Sequence, residues 1–154
     1  MNRCSILLAG VGNTLLRDEG VGLHAVKRLQ EIDLPDEISL VRCDTDLLSM
    51  DAALAGQRRI IIVDAIQAGG EPGAIHVIRE HELDKAEIKS TSAHQMSAIE
   101  SALLLKEIHP ELSNTELIFV GIEPSDMGVG EELSPAVEAA MPRLIEKILG
   151  LLRE

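Results

Sequence analysis

Aromatic side chains are almost missing from this chain. Phe119 is the single aromatic among 154 residues, with no Trp and no Tyr. The core must therefore be aliphatic, and the stacking platforms that hold single-stranded nucleic acid are excluded. Positive charge is also scarce: 14 Lys and Arg stand against 26 Asp and Glu, a net charge of −12. That balance argues against a nucleic-acid partner and against an anionic membrane surface. Cysteine is limited to Cys4 and Cys43, with no C-x-x-C spacing. A disulfide framework is excluded, and a reduced, cytoplasmic compartment is expected. No apolar run approaches the roughly 18 residues of a membrane span. The short apolar run at residues 6–11 meets Asn13, Arg17, Asp18 and Glu19 without a small-residue cleavage site, the pattern of mature protein rather than a signal peptide.

What is present reads as one globular domain over residues 1–154, with 45% hydrophobic and 26% charged residues. Apolar runs at residues 5–11, 38–43, 59–64, 74–79 and 117–122 predict strands. The run Ile60-Ile61-Ile62-Val63 is β-branched throughout, as expected of a strand covered on both faces. Helical spacing appears at 21–32, with Val21, Ala25, Leu29 and Ile32 on one face, and again at 46–55 and 93–108. A last helix begins with Ser134 as N-cap and Pro135 at its first position, and Pro142 should kink it or delay its start. Residues 81–90 and 123–133 read as loops. Strands alternating with helices predict an α/β fold: a mostly parallel twisted sheet with helices on both faces.

In such sheets, ligands bind beyond the carboxyl ends of the strands. Residues 12–19, 64–73, 90–95 and 123–133 should meet on that rim. Gly10-Val11-Gly12-Asn13-Thr14-Leu15 begins like a dinucleotide fingerprint, but Leu15 stands where the third glycine belongs. The acidic pair Asp18-Glu19 would also repel a pyrophosphate at the helix start. Glu19 is therefore either a dipole-complementing residue beside an Asp18 cap, or a site carboxylate. Asp64 ends a fully apolar strand on the rim; it is a turn residue or a second site carboxylate. His94 lies in Ser92-Ala93-His94-Gln95, a capping box; it is either a surface histidine in the first turn of its helix or, with its ring kept neutral by the helix dipole, a metal ligand. His24 shares a face with Lys27, Arg28 and Glu31 and is expected to be solvated. Two carboxylates and one imidazole form an open oxygen–nitrogen shell that suits zinc or nickel equally.

Three further segments complete a pattern. Leu16-Arg17-Asp18-Glu19-Gly20-Val21-Gly22, Ile62-Val63-Asp64-Ala65, Thr91-Ser92-Ala93-His94-Gln95 and Val120-Gly121-Ile122-Glu123-Pro124 stand in one order along the chain. Together with Gly10-Val11-Gly12-Asn13 they resemble the nickel–iron hydrogenase maturation endopeptidases over nearly the whole chain. The resemblance implies the fold of that family and an endopeptidase that removes the C-terminal extension of a nickel-loaded hydrogenase large-subunit precursor. It also implies Glu19, Asp64 and His94 as catalytic and metal-contacting residues. Nickel would be supplied by the substrate, with zinc or another divalent ion as surrogate. Asn13 is expected to line the cleft. Asp44 stands where the family often has Asp-Gly-Gly, but Thr45 and Asp46 replace the glycines. Two alternatives belong to other classes: a non-catalytic nickel-site chaperone of the large subunit, and a small nucleotide-binding domain.

Overall fold

Unbroken apolar runs, rather than alternating ones, build the inner strands of the sheet. A computed structural model describes residues 5–44, 56–85 and 98–154. The expected helix at 46–55, the segment 90–95 with Ser92 and His94, and Cys4 lie outside the described residues. Five strands form one sheet in the order β2-β1-β3-β5-β4. They are β1 (Ile6–Val11), β2 (Ile38–Cys43), β3 (Arg59–Ala65), β4 (Ile75–Arg79) and β5 (Glu116–Ile122). The pairs β1–β2, β1–β3 and β3–β5 are parallel. Only the edge strand β4 runs antiparallel, against β5.

The two faces of the sheet bury separate aliphatic clusters, which is why successive residues are all apolar. Leu8, Ile61, Val63, Ile118 and Val120 pack against α1 (Val21–Leu29) and α3 (Pro135–Leu152). Leu7, Ile60, Ile62, Leu117 and Phe119 pack against α2 (Ala98–Ile108). Alternation along a strand sends neighbours to opposite faces, so a doubly covered strand reads as a continuous run. Phe119 sits in the middle of β5 and is 1% exposed. Cys43 is buried in the second cluster, the packing role expected of a small hydrophobe.

Several boundaries differ from the sequence expectations. α1 stops at Leu29, and Ile32 is 37% exposed beyond its end rather than part of its buried face. Part of the expected loop at 81–90 is a 3₁₀ segment, Glu80–Lys85. α3 starts at Pro135 and continues through Pro142 to Leu152, so Pro142 does not delay it. Pro142 is exposed on the helix surface. The N-cap is as read: the Ser134 hydroxyl accepts from the Val137 N–H. Among the described residues no helix is long and apolar enough to cross a membrane.

One contact sets where the first loop lands. Gly10 of β1 and Gly22 of α1 face each other so closely that a Cβ at Gly10 would strike the Gly22 carbonyl. A Cβ at Gly22 would likewise strike the carbonyl oxygens of Val63 and Val11. This close approach puts the start of α1 directly over the carboxyl ends of β1 and β3. The turn immediately before α1 is the one that carries Glu19.

Candidate functional site

The first rim loop leaves β1 through Gly12, whose φ of +143° is open to glycine and closed to most side chains. The chain then folds back on itself. The Asn13 N–H donates to the Glu19 carbonyl at 3.2 Å, and the Glu19 N–H donates to the Leu16 carbonyl at 3.0 Å. The Asn13 Oδ1 accepts from the Leu15 N–H at 2.9 Å, so this side chain builds the turn. A 3₁₀ turn, Arg17–Gly20, presents Glu19. Arg17 enters it with a φ of 44°, a strained left-handed conformation for a non-glycine residue.

Asp18 does not cap α1, contrary to one of the two sequence expectations. Among the described residues no side chain caps that helix. Asp18 is instead 0% exposed and turned towards the loop that follows β5. Its Oδ2 accepts from the Ser125 N–H, the Asp126 N–H and the Ser134 hydroxyl, each at 2.8 Å. Its Oδ1 accepts from the Ser134 N–H at 2.8 Å. Burial alone would push this carboxyl up, but the four donors outweigh burial and hold it below its usual range. The Asp18 N–H also donates to the Asp126 carbonyl at 3.0 Å. One carboxylate thus fastens both ends of the 125–134 loop to the Glu19 turn.

Asp64 stands at the carboxyl end of β3, paired with Gly121 of β5. It is half-buried, and its Oδ1 accepts from the Ala65 N–H at 2.8 Å. Burial pushes its carboxyl up to about 8, the Ala65 hydrogen bond works against this, and the charge of Glu19 adds to the rise. The two rim carboxylates therefore share one electrostatic environment. Among the described residues neither has a cationic partner. An arrangement of this kind fits a divalent cation, which would replace the proton on Asp64 and neutralise both charges. Among the described residues there is no cluster of three or more metal-binding side chains, and His94, the third expected donor, lies outside them. Asp44 is exposed just beyond the carboxyl end of β2, on the same rim.

Glu123 was not among the candidates read from sequence, although it ends an apolar strand just as Asp64 does. It is 4% exposed, and its Oε1 accepts from the Ala68 N–H at 2.7 Å and the Gly70 N–H at 2.9 Å. The same oxygen lies 2.9 Å from His76 Nε2 on β4. Burial raises its carboxyl, but these partners prevail and hold it low. Glu123 thereby shapes the loop that follows Asp64. Glu123→Ala is expected to leave two backbone donors unmatched and to cost about 2–3 kcal/mol. Hydrogen exchange should show it first at the Ala68 and Gly70 amides, and unchanged protection there would refute the role.

His24 is only partly solvated. The ring is half-buried beside the Glu131 backbone, with its Nε2 buried and, among the described residues, without a hydrogen-bond partner. Burial is the main cause that lowers its pKa. The loop carrying Glu131 and Leu133 closes over it, a contact that helical spacing within α1 cannot reveal.

Comparison with known proteins agrees with this fold. The family model described as hydrogenase maturation protease matches residues 23–151. The hydrogenase 2 maturation protease of Escherichia coli K12 is 32% identical over 153 residues, covering 97% of this chain and 91% of that protein. Protein FrxA of Pyrococcus furiosus is 36% identical over 140 residues, covering 89% of this chain and 97% of its own. The solved structure of the hydrogenase maturating endopeptidase HybD from E. coli superposes with a TM-score of 0.84 at 30% identity, covering 97% of this chain and 92% of that one. The [NiFe] hydrogenase maturation protease HybD from Thermococcus kodakarensis gives a TM-score of 0.80 at 31% identity, covering 96% and 99%.

Proposed function

Because this chain belongs to the hydrogenase maturation protease family, we propose that it is the endopeptidase that removes a C-terminal extension from a nickel-loaded [NiFe]-hydrogenase large-subunit precursor. The observation that carries this reading is the pair Glu19 and Asp64, two rim carboxylates without a cationic partner among the described residues. Their chemistry suits the nickel centre of a substrate rather than a permanently held ion. Two or three ligands from separate loops make an incomplete shell, and such a shell holds a free ion less firmly than a closed four-ligand site. The missing ligands belong to the precursor itself. His94 is proposed as the third donor, and zinc or another divalent ion as a surrogate for nickel.

Hydrolysis then needs a water, a base and a place for the leaving amine. With the substrate metal against the rim, Asp64 is ionised and able to take a proton from the attacking water. The hydroxide adds to the scissile carbonyl carbon. The same proton passes to the amide nitrogen as the C–N bond breaks, so the carboxylate is regenerated. Substrate metal also fixes the scissile bond in position, which converts recognition into rate.

Mass spectrometry of the precursor before and after incubation tests this reading. Nickel-loaded precursor should lose its tail, and nickel-free precursor should remain intact. Elemental analysis of untagged resting enzyme should show little or no bound metal. Equal cleavage of both precursors would remove nickel as the recognition element, and an intact tail in both would overturn the protease reading.

A further inference from the structure

Among the described residues four large aliphatic side chains are exposed, and two of them lie on adjoining rim loops. Leu15 is 59% exposed and Val129 is 86% exposed. They belong to segments that pair with each other. Leu16 and Gly130 form a parallel bridge, with the Gly130 N–H donating to the Leu15 carbonyl at 2.9 Å and the Arg17 N–H to the Gly130 carbonyl at 2.8 Å. Leu15 and Val129 each immediately precede a residue of that bridge, so the two exposed side chains are carried by joined segments.

This exposure is not a property of a loose loop. Asp18 fastens the 125–134 loop at both ends, and Arg17 approaches Asp126 at 3.6 Å. The Asp126 Oδ1 accepts from the Gly128 N–H at 2.8 Å, which shapes the bend next to Val129. Two aliphatic groups held out to solvent by a fixed scaffold lose little freedom on meeting a partner. Leu15 is also four residues from Glu19. A protein whose scissile bond reaches the rim carboxylates must lie against this ridge.

We propose that Leu15 and Val129 form the docking ridge for the folded precursor, an inference that rests on the protease reading above. The partner surface would be apolar at its centre, to cover the two side chains. It would be basic at its margin, because the exposed carboxylates Asp126, Glu131 and Glu132 border the ridge.

The test measures binding and cleavage separately. Leu15→Ser/Val129→Ser should weaken the Kd for immobilised nickel-loaded precursor by about tenfold or more, since the burial of two aliphatic side chains against the partner is lost. In processing assays KM should rise by a similar factor while kcat stays within about twofold, the pattern of lost uniform binding. Thermal melting should be unchanged. Ile108→Ser, at the end of α2 on the opposite side of the sheet, serves as control and should bind like the wild type. An unchanged Kd in the double variant overturns the ridge, as does an equal loss in Ile108→Ser. A wild-type dimer that the double variant splits into monomers also overturns it, by assigning the ridge to self-association. Binding without cleavage by the wild type would instead overturn the protease reading and leave the docking surface standing.

Discussion

Asp64→Asn is expected to abolish precursor processing and, at the same time, to stabilise the fold at alkaline pH. The loss of activity follows from removing a proton acceptor, an effect of about 10²–10⁴-fold in general acid–base catalysis. The gain in stability follows from linkage. In the folded protein the carboxyl titrates near 8, against 3.8 for its ordinary value. Between those pH values the folded state holds a proton that the unfolded chain has released. Stability of the wild type therefore falls as pH rises through that window and levels off above it. Asn carries no such proton, and its side-chain oxygen can still accept from the Ala65 N–H. Variant and wild type should melt alike near pH 4. Near pH 9 the variant should be more stable by about 2–4 kcal/mol once hydration of the ionised carboxylate is allowed for. Thermal melts at both pH values, paired with processing assays, check both halves. Wild-type processing by the variant would remove Asp64 from the chemistry. Equal melting at alkaline pH would mean that the carboxyl is already ionised in the resting protein.

Asp18 should behave in the opposite way. Asp18→Ala leaves the Ser125, Asp126 and Ser134 backbone donors without their acceptor in a fully buried position. The expected loss is about 3–5 kcal/mol. The direction of its pKa shift gives the pH signature. A carboxyl held below its ordinary value adds stability that is fully present above that value and disappears as pH falls through the folded pKa. The difference between wild type and variant in urea midpoint should therefore be large at pH 7 and shrink strongly towards pH 2. Asp18→Asn keeps the volume but turns an amide NH₂ towards N–H donors, so it should fold with reduced stability. Because Glu19 is the next residue, processing by Asp18→Asn should fall at least about tenfold with a native circular dichroism spectrum. Wild-type activity in that variant would separate the clamp from the placement of Glu19.

Much of the fold was legible because burial on both faces writes itself into a strand as an unbroken apolar run, as in Ile60–Val63. The start of α3 was legible because capping is local: Ser134 and Pro135 act within one turn. Asp64 could be placed on the rim because a charge ending such a strand has one place to go. The rest depends on partners distant in sequence. Asp18 looked like a cap for the helix beside it, but its donors lie more than 100 residues away. Glu123 carried the same signal as Asp64, a carboxylate at the end of an apolar strand, and its role emerges only from the loop that wraps it. The direction of β4 has no local signature at all, since apolar patterning is the same for parallel and antiparallel strands. His24 looked exposed because helix periodicity describes one helix and not the loop folded over it.

The solitary ring of Phe119, sealed in the middle of β5, makes this chain almost silent in optical experiments. It has no indole or phenol group to absorb strongly in the near ultraviolet or to emit. Ultraviolet absorbance will under-report its concentration, and intrinsic fluorescence cannot follow its unfolding. The same silence is an advantage once a partner is added. Any change in tryptophan or tyrosine emission on mixing with precursor originates in the precursor alone, so docking and release of the tail can be read from the substrate's side without labelling either protein.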